Sequence, residues 1–593
     1  MAEVPDEVRH LVERRWRLLV LLFWVAAAAY MLFDRWGAIR GFALGDTDDN
    51  MRMMQVRALL DGQGWYDLRQ YRMNPPYGAD IHWSRLVDLP IAGLKLLFAP
   101  FVGGRNAEQI AVAVAPLLPM LVAMGALAAA VRRLIAPYAY PVAIAFVLCS
   151  PTALSMWTPL RIDHHGWQLA TLAVTIMGLA DPKAARGGLT AGLAATASLV
   201  IGMEMLPYLA VAGAAIVLRW VWQREEAPRM AAYGASLAGG CAIGYLVFTS
   251  YSNARPMCDA LSPVWLSAML FAGALAVLLA RIDPATRGRR FALAIAAGIA
   301  IGAAFALTWP DCLGRLEHST PELDRLWLSK VREAMPVYRH GARTAALIVT
   351  LPIFGLLGYL MMLWTHRRDA ARFIPWASVA APALVAAALL LWQTRAAPAA
   401  QVFAIPGAAA LAWAVLAWIQ RRNWMWVRVF GAVAAFLIVS GLATAYVASL
   451  FPEKLDAYRR GVNLANGQCP TLAALAPVAR QPRGLVLTFV DLGPRLITVT
   501  HHDAIAGPYH RNARQIIDVM HAWRGTADNA HATVARYHVN YVLICPNMSE
   551  STIYRAETPD GFYAQLASGK VPGWLARVPL PAGSPYRMWR VIN

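Results

Sequence analysis

The chain is predicted to be a polytopic α-helical membrane protein of about thirteen spanning helices, followed by a small α/β domain. Three observations predict this. Of 593 residues, 58% are hydrophobic and only 15% charged, against about 25% charged in an average soluble domain. Apolar stretches long enough to cross a bilayer recur along most of the chain. Beyond residue 450 that pattern stops and short buried-strand signals replace it.

The expected spans lie near 17–33, 109–131, 136–156, 167–180, 188–203, 206–222, 231–250, 264–281, 291–308, 344–364, 374–392, 402–419 and 429–449. Arg14, Arg15 and Arg17 precede the first of these, and no small-residue cleavage site follows it, so it reads as an anchor. Leu89–Val102 is short and proline-flanked and reads as an interfacial helix. Arg132-Arg133, Lys183, Arg186, Arg219, Arg224, Arg229, Arg281 through Arg290, Arg367-Arg368 and Arg421-Arg422 all fall on the side of the N-terminus. That side is expected to be cytoplasmic. An odd number of spans then puts the tail outside, in the periplasm if the membrane is a bacterial inner membrane. The division is a transmembrane part, 1–449, with long outside loops 34–88 and 309–343, and an extracytoplasmic α/β domain, 450–593. In the latter, Gly484–Phe489 and Val539–Ile544 read as strands. Asn512–Arg524 and Asn529–Tyr537 read as helices, the first with Asn512 as N-cap.

A net charge of +19 would suggest nucleic acid in a soluble protein. Here the basic residues sit in short loops between spans, so no nucleic-acid partner is expected. Six cysteines include two in spans, Cys149 and Cys241, and four outside. Two disulfides, Cys258–Cys312 and Cys469–Cys545, are open to the chain in an oxidising compartment, and the sequence leaves the pairing undecided.

The run Gly45-Asp46-Thr47-Asp48-Asp49 follows the first span. Carboxylates beside a bilayer are costly unless paired, solvated or bound to a cation, and a hard divalent metal or a general-base site needs such a cluster. A partner lies on the same side of the membrane, in Arg161-Ile162-Asp163-His164-His165. Asp and His two residues apart bring an oxygen and an imidazole nitrogen to one metal, a donor set suited to Mn²⁺ or Mg²⁺ and, less specifically, to Zn²⁺. Arg161 is a phosphate candidate. Glu204 is ionisable at a span end, a functional candidate whose plain alternative is an ion pair with a loop arginine. Glu317, Glu322, Glu333, Arg332 and Arg339 populate the loop 309–343. Arg395 is available to an anionic substrate or to a helix C-terminus. In the tail, Asp491, His501, His502, His510 and Arg511 carry weaker signals. No nucleotide-binding loop or hydrolase motif is present.

On these residues the chain resembles the catalytic subunit of oligosaccharyltransferases, within the GT-C superfamily of membrane glycosyltransferases. Asp48 through Leu60 lies without a gap on the family's first-loop stretch, which selects Asp48 over Asp46 and Asp49. Asp163-His164-His165 is similar to the second motif of archaeal members. Val331-x-Glu333-x-x-Pro336 is similar to the fifth-outside-loop motif and promotes Glu333. The WWDYG signature is matched only as Phe489-Val490-Asp491-Leu492-Gly493. Asp and Gly remain and the aromatic residues are lost, which removes the expectation of an Asn-x-Ser/Thr acceptor.

The resemblance implies transfer of a sugar or glycan from a polyprenyl phosphate or diphosphate donor to a glycan, lipid or protein acceptor. It implies a divalent cation, Mg²⁺ or Mn²⁺, on Asp48, Asp163 and His165. Asp48, Asp49 and Glu333 are the expected catalytic residues. Arg161, His164, Glu204, Arg339, Arg395, Asp491, His510 and Arg511 are the expected donor-phosphate and substrate contacts. The competing expectation is a transporter or flippase for lipid-linked glycans, which would place polar groups at mid-membrane. A non-catalytic scaffold would leave the Asp48, Asp163 and His165 constellation without a use.

Overall fold

The computed structural model describes residues 6–314, 316, 319–451 and 456–592, with side chains from His10 onward. Glu317 lies outside the described residues. Among those residues, nine helices are long and apolar enough to cross a membrane, or ten if the bent pair Met425–Val439 and Leu442–Ser449 forms one span. The other three expected spans are also helical but shorter: Tyr140–Leu148, His165–Leu179 and Leu206–Trp222. Pro151 follows the first of these and opens a separate turn, Pro151–Ser155, because proline removes a helix donor and crowds the preceding turn.

Alanine and glycine let the helices approach closely. Ala342–His366 lies against Ala397–Gln420 through Gly355, Gly358 and Gly407, none of which has room for a side chain. Tyr359 Oη donates to the Phe403 carbonyl across that seam at 2.8 Å. The bundle core draws on nearly every span.

The first outside loop is ordered by the helix Thr47–Leu60 and then by an irregular stretch up to the helix Asp88–Val102. That second helix is the expected interfacial one, and it exposes Leu96, Leu97 and Phe101. The loop 309–343 is a string of short helical turns.

The C-terminal part is α/β, as expected. Its strands are β1 (Leu485–Leu487), β2 (Asp503–Ala504), β3 (Tyr541–Ile544), β4 (Leu575–Val578) and β5 (Arg587–Val591), in the order β2-β1-β3-β5-β4. β1 is parallel to β2 and β3, and the β3-β5 and β5-β4 pairs are antiparallel. The edge strand β2 is covered by the first loop: Met73 bridges Ala504 in parallel, which protects an edge that would otherwise pair with another chain. Met51, Met54, Met73, Ile81 and Trp83 of the first loop, with Leu323 and Leu326, enter the core of this part. The change of composition near residue 450 therefore does not mark a break in packing. Disulfides join Cys258 to Cys312 and Cys469 to Cys545.

The helix Ala513–Arg524 follows a short turn, His510–Asn512. Asn512 stands at the cap position, but its side chain makes no cap bond. It instead accepts from the Asp80 N–H at 3.0 Å and donates to the Asp80 carbonyl at 3.2 Å. The tertiary partner displaces the local one.

Candidate active site: an acidic cleft beneath the C-terminal unit

Asp46 caps the helix Thr47–Leu60, its carboxylate accepting from the Asp48 N–H at 3.2 Å. The cap aims Asp48 and Asp49 outward from the first turn, where the helix dipole favours negative charge. Asp49 is buried and accepts from the Asp163 N–H at 3.1 Å. Asp163 in turn accepts from the His165 N–H at 2.9 Å, which starts the helix His165–Leu179. The two sequence motifs are thus tied together by backbone donors. Arg161 joins them by charge, pairing with Asp46, with Asp49 at 3.3 Å and with Asp163 at 2.7 Å.

Asp48 is half-buried, and among the described residues nothing donates a hydrogen bond to its carboxylate. Burial first, then Asp46, Asp163 and Glu333, hold its carboxyl well above the ordinary carboxylate range, with Arg161 opposing. Burial likewise lifts Asp49 to about 8 against the pull of Arg161. Burial works to raise Asp163 too, but Arg161, His165 and His164 outweigh it and keep it at about 2. One arginine thus serves three carboxylates, leaving the cleft short of positive charge.

The donor set fits a divalent cation. One Asp163 oxygen, Oδ2, is buried and held only by the Arg161 Nη2 charge at 2.7 Å, without a well-directed hydrogen bond. The free nitrogen of His165 follows from its neighbours. Gln168 Nε2 donates to Glu204 Oε2 at 2.5 Å, so its Oε1 is the acceptor facing His165 Nδ1 at 3.2 Å. His165 therefore carries its proton on Nδ1 and keeps a lone pair on Nε2 for a ligand. Glu204 Oε1 lies 3.1 Å from His164 Nε2, which leaves His164 Nδ1 buried and unpartnered. Burial, then His165, keeps His164 below the ordinary histidine value. Glu204 is thus neither free nor paired with an arginine. It orients both histidines. A methyl group on Gly202 would strike Glu204 and Gln168.

The remaining expected residues divide into groups. Glu333 and Arg395 pair with each other at 3.1 Å, and Glu333 faces the cleft closely enough to raise Asp48. Arg339 is exposed at the end of the turn Val337–Arg339. His510 and Arg511 both bond Asp259. His501 and His502 bond the backbone carbonyls of Gln481 and Val478, and Glu322 pairs with His521.

Asp491 opens into the cleft. Burial, then Asp46, lifts its carboxyl to about 6. The preceding Phe489 is a core residue against Trp523, Tyr554 and Tyr563. Gly493 has no room for a side chain because the Ala506 carbonyl closes on it. The turn is held by Glu550, which accepts from the Val490 and Asp491 N–H groups at 2.9 and 2.8 Å. The helix Gly493–Val499 then docks on the helix of Asp48, with Arg495 reaching Asn50 at 3.2 Å and Thr498 donating to the Asn50 carbonyl at 3.1 Å.

Sequence reasoning missed Gln168, Glu550, His82 and Tyr509. Gln168 carried one usable signal, its three-residue spacing from His165 on a helix. Tyr509 donates to the Thr47 carbonyl at 3.0 Å beside the acidic cluster. Among the described residues, the His/Cys/Asp/Glu group whose ligand atoms already converge within 4.8 Å is His82, Asp259 and His510, not Asp48, Asp163 and His165.

No family model matches the sequence, and no curated protein sequence is similar to it. Solved structures are similar in fold. The archaeal oligosaccharyltransferase AglB from Archaeoglobus fulgidus, in complex with an inhibitory peptide and a dolichol-phosphate, matches with a TM-score of 0.68 at 15% identity, over 92% of this chain and 72% of that one. The Archaeoglobus fulgidus oligosaccharyltransferase tethered with an acceptor peptide containing the NVT sequon matches at 0.68 and 14%, over 98% and 75% of the two chains. Its complex with Zn and sulfate matches at 0.63 and 14%, over 96% and 73%. The chain has the fold of the GT-C membrane glycosyltransferases. Its architecture is similar to that of the archaeal oligosaccharyltransferase over both the helical bundle and the C-terminal unit.

Proposed function

We propose that this protein transfers a sugar or glycan from a polyprenyl phosphate or diphosphate donor to an acceptor at the extracytoplasmic face of a bacterial inner membrane. The observation that carries the reading is the joining of Asp48-Asp49 to Asp163-His165, with Glu333 and Asp491 facing the same cleft. The likeness in fold to an enzyme solved with a dolichol-phosphate and with an acceptor peptide supports it.

In this reading 1–449 is the transmembrane part, and 450–593 is the periplasmic domain. The helix His165–Leu179 supports the orientation. It leaves the acidic site at one end, and at the other its carbonyls receive Arg133, Arg219 and Arg229, the basic side expected in the cytoplasm. Its fifteen residues rise only about 22 Å, less than a bilayer's hydrocarbon core of about 30 Å. A short helix suits a site at headgroup depth, where a lipid donor presents its phosphate.

Asp48, Asp163 and His165 Nε2 would hold the cation, as Mg²⁺ or Mn²⁺. Bound there, it would supply Lewis-acid neutralisation of the leaving phosphate. Asp49 is held by Asp163 and Arg161 and keeps the two motifs in register. Asp48, with no hydrogen bond of its own, orients the acceptor and receives its proton. Arg161 and His164 contact the donor phosphate. Glu333 closes over the cleft from its loop, and Asp491 meets the acceptor from the opposite wall. The lost aromatic residues around Asp491 support an acceptor other than the sequon peptide.

Asp48→Ala and Asp163→Ala are each expected to lower transfer about 100-fold or more while the protein still purifies as folded. Mass spectrometry of the co-purified lipid, with and without chelator, identifies the donor. Full activity in both variants would sink the site assignment, and native extracts without any polyprenyl-linked sugar would shift the reading to a transporter.

A further inference from the structure

We infer that His82, Asp259 and His510 form a second metal site, for a borderline divalent cation of the Zn²⁺ type, that clips the C-terminal unit to the bundle. It is distinct from the cleft cluster: it shares no residue with Asp48, Asp163 and His165, and the Trp83 ring packs against His82 on one hand, 6.2 Å away, and His164 on the other, 5.6 Å away.

The three residues come from distant parts of the chain. His82 belongs to the irregular stretch of the first loop, and Asp259 to the connection between the helices Ala227–Phe248 and Pro263–Ile282. His510 opens the turn before Ala513–Arg524. Their ligand atoms nevertheless lie within 4.8 Å of one another. His510 Nε2 is 2.6 Å from Asp259 Oδ2, and the two imidazole rings are 4.8 Å apart between centroids. The Asp259 side chain is largely covered, and the disulfide of its neighbour Cys258 to Cys312 anchors its loop.

A plain ion-pair latch accounts for part of this. Arg511 grips Asp259 through Nη2 at 2.6 Å and Nε at 2.8 Å, so Asp259, His510 and Arg511 form a sound junction without a metal. That junction leaves His82 unexplained. Its Nδ1 is buried with no hydrogen bond, an uncompensated desolvation of a polar atom, and its ring lies against a second imidazole. A cation between the rings satisfies both lone pairs at once.

The charge balance allows it. Arg511 is shared with Asp80, 3.6 Å away. The group therefore sets two carboxylates, Asp259 and Asp80, against one guanidinium. Arg511 then acts as the partner that orients a ligating carboxylate. Two imidazoles and one carboxylate, with water in a fourth position, suit Zn²⁺ better than Mg²⁺. Ligands drawn from three segments make binding energy available to hold those segments together.

The test uses the full-length protein in detergent, stripped with chelator, reloaded with Zn²⁺ and desalted. Metal content is read by mass spectrometry, and Co²⁺ replacement by the visible bands of four-coordinate cobalt. In Asp163→Asn, whose cleft has lost a ligand, about one equivalent and those bands are expected to remain, whereas Asp163→Asn combined with His82→Gln or with His510→Gln binds at least about tenfold more weakly. Chelator should lower the unfolding temperature of Asp163→Asn but not of the Asp163→Asn, His82→Gln double variant. Among the described residues the His82 side chain donates no hydrogen bond, so its variants are expected to fold. Retention of metal and bands by the Asp163→Asn, His82→Gln double variant, loss of all metal in Asp163→Asn, or a wild type that keeps none would each overturn the inference.

Discussion

At the scale of single residues, the chemistry depends on which nitrogen of His165 is free. That is decided by Gln168, whose amide is oriented by Glu204. Gln168→Leu keeps the helix and the volume but removes the acceptor for His165 Nδ1. Cation affinity of the cleft is expected to fall about 10–100-fold, measured by Mn²⁺ titration followed by electron paramagnetic resonance. Unchanged affinity would mean that the imidazole is oriented by something else. The acidic run Asp46–Asp49 and the Asp163-His164-His165 run stood out in the sequence by residue type and short spacing, whereas the choice of Asp48 among three carboxylates rested on the resemblance. Arg161 was legible as a basic group at the site, but its role as counter-ion to three carboxylates was not, since Asp46 and Asp49 lie more than a hundred positions away. Glu204 drew notice as an ionisable group at a span end. Its partners, a histidine and a glutamine, are set by how two helix ends meet.

At the scale of elements, the turn Phe489–Gly493 is fixed by its surroundings: Asp491 faces the cleft, and Gly493 sits where only hydrogen fits. Glu550 supports the turn from the helix Ser549–Glu557. Burial, then Asp491, pushes its carboxyl up to about 8, whereas in an unfolded chain it titrates near 4.5. Between those values the folded state keeps a proton that the unfolded state has lost, so stability is fullest below the window and declines as pH rises through it. The unfolding temperature is expected to fall between about pH 5 and about pH 8, and Glu550→Gln should flatten the slope. An equally steep slope in the variant would assign it to other groups.

At the scale of the whole molecule, the first loop is the hub. Its Arg52 and Arg85 share Asp88 at 2.9 and 3.1 Å with all three side chains fully buried, and Arg52 lies over Trp83 at 4.4 Å. The same loop covers the sheet edge and carries Arg72 to Asp503 at 3.0 Å. Asp88→Ala leaves two buried guanidinium groups without their carboxylate and should cost about 3–5 kcal/mol, read as a lowered unfolding temperature of the full chain. A wild-type unfolding temperature would show that the arginines find other acceptors. The sequence by itself determined the membrane class, the helical positions, the α/β tail and the acidic and histidine motifs, because hydropathy, helical length and close spacing are local properties. Tertiary structure alone decided that the span expected at 136–156 is broken after Leu148 and that the first loop is built into the core of the tail. It alone brought His82, Asp259 and His510 together and made Arg161 the common partner of the acidic cluster. Those outcomes rest on contacts between segments hundreds of residues apart, and no local pattern encodes which distant partner a buried charge will meet.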